Sequence, residues 1–118
     1  MGTLVDALQL SSRLLRLTLG PDRLQRVLED YARTHSPLPY ATDEVRRFGG
    51  WLRMQGLEVS VLEDVLGLEE ACCRAIADGR RETARFSHDP DAVVAALLAG
   101  KVPHEPRLAS PITLEISP

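Results

Sequence analysis

Few residues of the sequence could bind a metal ion. The two cysteines, Cys72 and Cys73, are adjacent, and neighbouring side chains on a helix point about 100° apart, so the pair is not a disulfide framework. No Cys-x-x-Cys or His-x-x-x-His spacing, the usual local sign of a metal site, occurs. Each of the three histidines lies close to a proline or a helix cap: His35, His88 and His104. We predict no metal site in this chain, surface or loop positions for the histidines, and a core position for at least one cysteine.

The acidic pairs and the serines show no recognisable catalytic arrangement. The pairs Glu63 with Asp64 and Glu69 with Glu70 lie in a helical segment, where helix capping and a solvated face are the ordinary roles of such residues. The sequence has no Gly-x-Ser-x-Gly turn and no Gly-rich phosphate loop, which accompany nucleophilic catalysis and phosphate binding. We therefore predict no catalytic residue in this chain.

Three arginines form a basic group on the third predicted helix. Arg46, Arg47 and Arg53 occur within eight residues of each other. They are either ordinary solvated surface charge or a docking site for an acidic partner. The sequence leaves both interpretations open.

The composition is that of one globular domain. The chain has 118 residues, of which 44% are hydrophobic and 26% charged, enough to form a core without metals or disulfides. A formal net charge of −3 argues against nucleic-acid binding, which usually needs a clustered basic excess. No segment approaches the roughly 20 uninterrupted apolar residues of a membrane span, and the first ten residues lack the basic start of a signal peptide. We expect a reduced, cytoplasmic protein with neither membrane nor nucleic-acid partner.

Apolar residues recur at helical spacing over the first two thirds of the chain. A first helix is predicted over 4–19 and a second from Pro21. Thr42 is expected to cap a third helix that ends at Gly56, despite the glycines at 49 and 50 in its middle. The Ser60 to Glu63 stretch has the form of a capping box for a fourth helix over 61–78.

After Gly79 the apolar pattern changes to a period of two, which predicts a strand around residues 83–87. Asp89 and Pro90 then predict the start of another helix, and residues 112–116 predict a second strand. The expected fold is mainly α, with a helical region over 1–79 followed by a strand–helix–strand unit over 80–118, together forming one compact domain.

A sheet of two strands leaves an edge open, and an extended peptide can add to such an edge. We expect the first strand and the helix after it to form the walls of a peptide-binding groove, unless this unit merely closes the core. The predicted groove residues are Thr83, Ala84, Arg85, Phe86, Ser87, Val93 and Leu97.

Part of the sequence resembles a family of accessory proteins. The run YARTHSPLPYATDEVRRFGGWLR, followed by LEVSVLEDVLGLEEACCRAI, is similar to helical partner proteins encoded beside multinuclear non-haem iron-dependent oxidative enzymes. The matching positions are Tyr31, His35, Ser36, Pro37, Phe48, Trp51, Leu52, Leu62, Val65, Leu68, Glu69 and Ala71. The segment RFSHDPDAVVAALLAGKVP with the final ITLEISP also resembles the C-terminal, winged-helix-like peptide-recognition element of these partners, so that the resemblance covers roughly residues 24–118.

The resemblance implies a role in making ribosomally synthesised, post-translationally modified peptides. In that family a separate TIM-barrel enzyme holds the iron and oxidises cysteine residues of a precursor peptide, while the partner protein holds the precursor. In size the chain is similar to the compact partner of the enzyme that excises the β-carbon of a C-terminal peptidyl cysteine in 3-thiaglutamate synthesis, and methanobactin-type partners are an alternative. We thus expect a non-catalytic subunit without a cofactor of its own, which docks on the enzyme through its helical region. A helix-turn-helix DNA-binding regulator and a structural or oligomerisation domain remain the rival functions.

Overall fold

The computed structural model describes residues 7–118. Within them the chain forms five helices and two strands. Their bounds are α1 (Gln9–Leu19), α2 (Pro21–Thr34), α3 (Ala41–Arg53), α4 (Leu62–Asp78), β1 (Glu82–Phe86), α5 (Pro90–Leu98) and β2 (Ile112–Ile116). The predicted start of the first helix at residue 4 lies outside the described residues. The protein is thus mainly helical with a small sheet, as the sequence predicts.

Helices α1 and α4 form the centre of the molecule. Leu15 of α1 and Leu66 of α4 belong to a core cluster shared with α2 and α3. The neighbouring residues Leu14 and Val65 belong to a second cluster, shared with Phe86 of β1 and with α5. Because adjacent helical residues point about 100° apart, both helices bury side chains on two sides. Elements on both sides of position 79 therefore pack against the same two helices.

The two strands form an antiparallel sheet in the order β1–β2. Glu82 is opposite Ile116, and Phe86 is opposite Ile112. Helix α4 packs on the sheet mainly through β1. Each strand therefore has one edge without a strand neighbour among the described residues.

The local signals around glycine and proline are confirmed. Gly20 ends α1 and Pro21 is the first residue of α2. Gly79, at φ 64°, ends α4 in the left-handed conformation that glycine adopts without strain. Asp89 accepts a hydrogen bond from the backbone N–H of Asp91 and so caps α5.

Two predicted helix caps are wrong. Tyr40, with extended backbone, is the N-cap of α3, so Thr42 lies inside the first turn and caps nothing. At α4 the N-cap is Val61, which places Asp64 rather than Glu63 at the third position of the helix and removes the Ser60 capping box. The end of α3 is also earlier than predicted, at Arg53 instead of Gly56. None of the helices in residues 7–118 combines the length and apolar character needed to cross a membrane.

The glycine pair inside α3 has two different environments. A Cβ added at Gly49 would clash with the carboxylate of Glu70, which approaches from α4. A Cβ added at Gly50 would meet nothing within 4 Å. Close packing thus explains Gly49, whereas nothing in the structure explains Gly50.

These environments predict opposite effects of alanine. Gly50→Ala should raise the free energy of unfolding by up to about 1 kcal/mol, because alanine is the better helix former. Gly49→Ala should lower it by about 1–2 kcal/mol, since the displaced Glu70 loses its hydrogen bonds to Arg53. Urea denaturation of the two variants checks this, each serving as the other's control; equal gains in stability would show that α3 and α4 do not pack through Gly49.

Candidate functional site

A groove of about 320 Å³ lies between β1 and α4. Its strand wall includes the consecutive residues Thr83, Ala84 and Arg85. Consecutive side chains of a strand point to opposite faces of the sheet, so a cavity that touches all three meets the strand from its edge. The lining includes no residue of β2. We infer that the groove runs along the edge of β1 that has no strand neighbour, and name it the β1 groove.

The helix wall of the β1 groove is polar. Gly67, Glu70 and Arg74 lie on one face of α4 and line it, together with Arg53 from α3 and Glu63. Arg53 donates two hydrogen bonds to the Glu70 carboxylate and one, at 2.7 Å, to Glu63. These bonds raise the pKa of Arg53, chiefly through Glu70. Arg53 is therefore a structural residue. Its charge is used inside the protein and is not free for the docking role considered in the sequence analysis.

The prediction that α5 forms a wall of the groove is wrong, and so is the placement of the Phe86 side chain in the groove. Phe86, Val93 and Leu97 are each 0% exposed and pack together in the second core cluster. A guest peptide cannot touch side chains that are fully covered by the protein's own interior. Of the predicted peptide-binding residues, the structure brings Thr83, Ala84, Arg85 and Ser87 to the groove, and α4 replaces α5 as the second wall.

A second cavity, of about 550 Å³, adjoins one end of the β1 groove. Glu63, Asp64 and Ser87 line both cavities, so we infer that they are continuous. The second cavity is further lined by Val59, Ser60, Val61, Leu62, His88 and Arg107. We name it the His88 pocket.

Asp64 and His88 form a buried pair at the junction of the two cavities. The Asp64 carboxylate accepts a hydrogen bond from His88 Nδ1 at 2.7 Å and one from the backbone N–H of Ser87 at 3.1 Å. His88 lies in the loop between β1 and α5, one of the two positions predicted for it, and is 9% exposed rather than on the surface. The other ring nitrogen, Nε2, makes no hydrogen bond within residues 7–118, and His88 is one of the residues that line the pocket.

The backbone beside the His88 pocket is strained. Val61 has φ 59°, a left-handed conformation that is unfavourable for a β-branched residue. The strain is of the order of 1–2 kcal/mol. Burial of the Val61 side chain, which is 5% exposed, holds it in place. Backbone outliers of this kind concentrate at ligand-binding sites.

Glu69 and Glu70, the other acidic pair of α4, do not lie on a solvated face as predicted. Glu70 is 8% exposed and is held by Arg53, as described above. Glu69 is 9% exposed, and its two carboxylate oxygens accept hydrogen bonds from the backbone N–H groups of Leu10 and Ser11. Burial raises the pKa of Glu69, and the two backbone bonds oppose that shift. Glu69 thus caps the first turn of α1 from another helix.

The remaining predicted docking arginines are internally paired. Arg47 donates to the hydroxyl of Tyr31 at 2.8 Å, to Glu44 and to the carbonyl of Ser36. Tyr31 is 1% exposed, and its burial raises the pKa of its hydroxyl. Arg46 is exposed and pairs with Asp43 on the same helix. Arg47 accordingly ties the 35–40 connector to α2 and α3, and only Arg46 of the three is a solvated surface charge.

The other residues singled out in the sequence are not brought together. Cys72 and Cys73 are half-buried free thiols whose pKa values are raised by burial. His35 stacks on the Tyr31 ring, whereas His104 is exposed in the loop before β2. In the part of the chain that the structure describes, no group of three His, Cys, Asp or Glu side chains is placed to hold a metal ion.

The sequence did not reveal the α4 wall of the groove or the His88 pocket. A signal for the wall existed, because residues 63, 67, 70 and 74 recur at one-face helical spacing. Asp64, His88 and Arg107 lie far apart in the sequence, and only the fold joins them. Comparisons of the chain with protein-family models, curated proteins and solved structures find no match.

Proposed function

We propose that this protein is a non-catalytic partner subunit that binds an extended segment of a precursor peptide in the β1 groove. The observation that carries the proposal is the position of the groove along the edge of β1 that has no strand neighbour. A guest strand at such an edge gains main-chain hydrogen bonds from one wall. The side chains of α4 supply specificity from the other.

The open edge itself supports a binding role over a purely structural one. Exposed edges invite aggregation, and proteins usually protect them with charges or cover them. Here the edge carries the exposed residues Thr83 and Arg85, and a helix stands beside it without filling the space between. This arrangement is suited to the reversible binding of a peptide.

The identity of the guest and of the enzyme comes from the resemblance. It implies a cysteine-containing ribosomal precursor, presented to a separate TIM-barrel enzyme that holds the iron and carries out the oxidation. We propose the cytoplasm as the site of this activity, and a winged-helix-like role for the β1–α5–β2 unit in holding the peptide. The exposed face of α2 and α3 is then the surface that docks on the enzyme.

Binding of a precursor peptide from a neighbouring reading frame tests the proposal. Arg85→Pro should lower its affinity at least about tenfold, because a proline at a strand edge removes a donor and disturbs the backbone. Thermal unfolding of the variant must show that it remains folded.

A second measurement leaves the protein unchanged. Single N-methyl groups placed along the guest peptide should weaken binding at every second position, since alternate N–H groups of an added strand face its partner. Uniform effects of N-methylation, together with unchanged binding by Arg85→Pro, would contradict strand addition.

A further inference from the structure

The carboxylates that line the two cavities are already occupied. Glu63 and Glu70 are bound to Arg53, and Asp64 is bound to Ser87 and His88. Each of them therefore has an internal donor at hydrogen-bond distance. The linings of the two cavities together hold three carboxylates and four arginines, a formal excess of one positive charge when histidine is counted as neutral.

Two of the arginines that line the cavities, unlike these carboxylates, have no internal partner. Arg85 on β1 and Arg107 in the loop before β2 are exposed, and neither makes an ion pair or a side-chain hydrogen bond anywhere in residues 7–118. Arg74 has only a distant partner, Glu82, at 3.5 Å. The cations that remain unpaired thus extend from the middle of the β1 groove into the His88 pocket.

We propose that the guest segment is acidic, with one carboxylate beside Arg85 and another in the His88 pocket, beside Arg107. This inference rests on the proposed function. An arginine without an internal partner is ready to bind a carboxylate through two parallel hydrogen bonds. The strain at Val61, beside the same pocket, is consistent with a ligand site there.

A peptide fits this surface better than a nucleic acid does. The whole chain carries a formal charge of −3, and the internally paired carboxylates line the groove at several points along its length. A continuous phosphate backbone would have to pass each of them. A peptide can place single carboxylates opposite the two arginines and neutral residues elsewhere.

Three synthetic octapeptides of alternating valine and polar residues test the inference, with glutamate, glutamine or lysine at two of the polar positions. Fluorescence anisotropy at low ionic strength should show the tightest binding for the glutamate peptide and the weakest for the lysine peptide. Arg85→Gln and Arg107→Gln should each reduce the glutamate preference about two- to fivefold. Lys101→Gln removes the same charge from an exposed position that lines neither cavity, and should leave the preference unchanged.

The outcomes separate the two proposals. Equal affinities for the glutamate and glutamine peptides, or tightest binding of the lysine peptide, would overturn the acidic guest while leaving strand addition intact. Failure of all three peptides and of the precursor to bind would overturn the proposed function as well. A single-stranded oligonucleotide that binds more tightly than the glutamate peptide, and loses affinity in Arg85→Gln and Arg107→Gln, would show that the cavities serve nucleic acid instead.

Discussion

Phe86→Ala is expected to lower the free energy of unfolding by about 3–5 kcal/mol, the range for removing a large aromatic side chain from a packed core. Phe86 is 0% exposed, and in the second core cluster it lies with Val65, Val93 and Leu97. Its removal leaves a cavity at the point where α4, β1 and α5 meet. A loss of this size is a large fraction of the whole stability of a small domain.

Two further variants keep this prediction testable if Phe86→Ala does not fold. Phe86→Leu retains much of the volume and should lose less than half as much stability. Thr83→Val changes an exposed residue of the same strand while keeping its branched shape, and should stay within about 0.5 kcal/mol of the wild type. Urea denaturation measures all three. A negligible loss in Phe86→Leu and Phe86→Ala would mean that the side chain is not a core residue.

Glu69→Leu is expected to cost about 2–4 kcal/mol at neutral pH. The leucine fills similar space but accepts no hydrogen bond, so the backbone N–H groups of Leu10 and Ser11 lose their acceptor. Each unsatisfied buried donor costs about 1–3 kcal/mol, and Leu10 is only partly buried. Glu69→Gln keeps one acceptor oxygen but turns an NH2 group toward the other backbone donor, so it should recover only part of the loss. Thermal and urea unfolding of both variants provide the measurement.

The pH dependence of Glu69 gives a separate test. Its pKa in the folded state is raised by burial above the ordinary value of 4.5. Between these two values the folded protein keeps a proton that the unfolded chain has released, so stability falls as the pH rises through the folded pKa. The stabilising contribution of the protonated form is complete only below the ordinary value.

Glu69→Gln has no such titration. The wild type should therefore lose stability relative to Glu69→Gln as the pH increases from about 4 to 7, and the comparison cancels the effects of all other groups. Parallel pH profiles for the two proteins would show that the pKa of Glu69 is not raised in the folded state.

The sequence predicts elements well wherever the deciding signal is local. The start of α2 follows from Gly20 and Pro21, and the cap of α5 follows from Asp89 within two residues of its target. The alternation around Arg85 predicts β1. In each case the residues that determine the backbone conformation are neighbours in the chain.

The candidate site depends on contacts between residues that are far apart in the chain, and local sequence patterns do not predict such contacts. Glu69 reaches Ser11 across 58 positions, and Asp64 reaches His88 across 24. The sequence predicts a solvated position for both acids because charged residues recur at regular spacing along their helix. That spacing does not show which carboxylate contacts a buried hydrogen-bond donor. The misplaced cap of α4 has a related cause, since burial of Val61 overrides the preference for serine at the N-cap.

The two-sided burial of α4 restricts how this sequence can diverge. Val65 and Leu66 are neighbours that serve opposite clusters, so an insertion or deletion of one residue ahead of them would turn every later side chain by about 100° and exchange their surroundings. The outward faces of α2 and α5 carry no comparable restriction. Homologues of this protein can therefore differ widely in their surface helices and still keep the length and register of the helix at the centre.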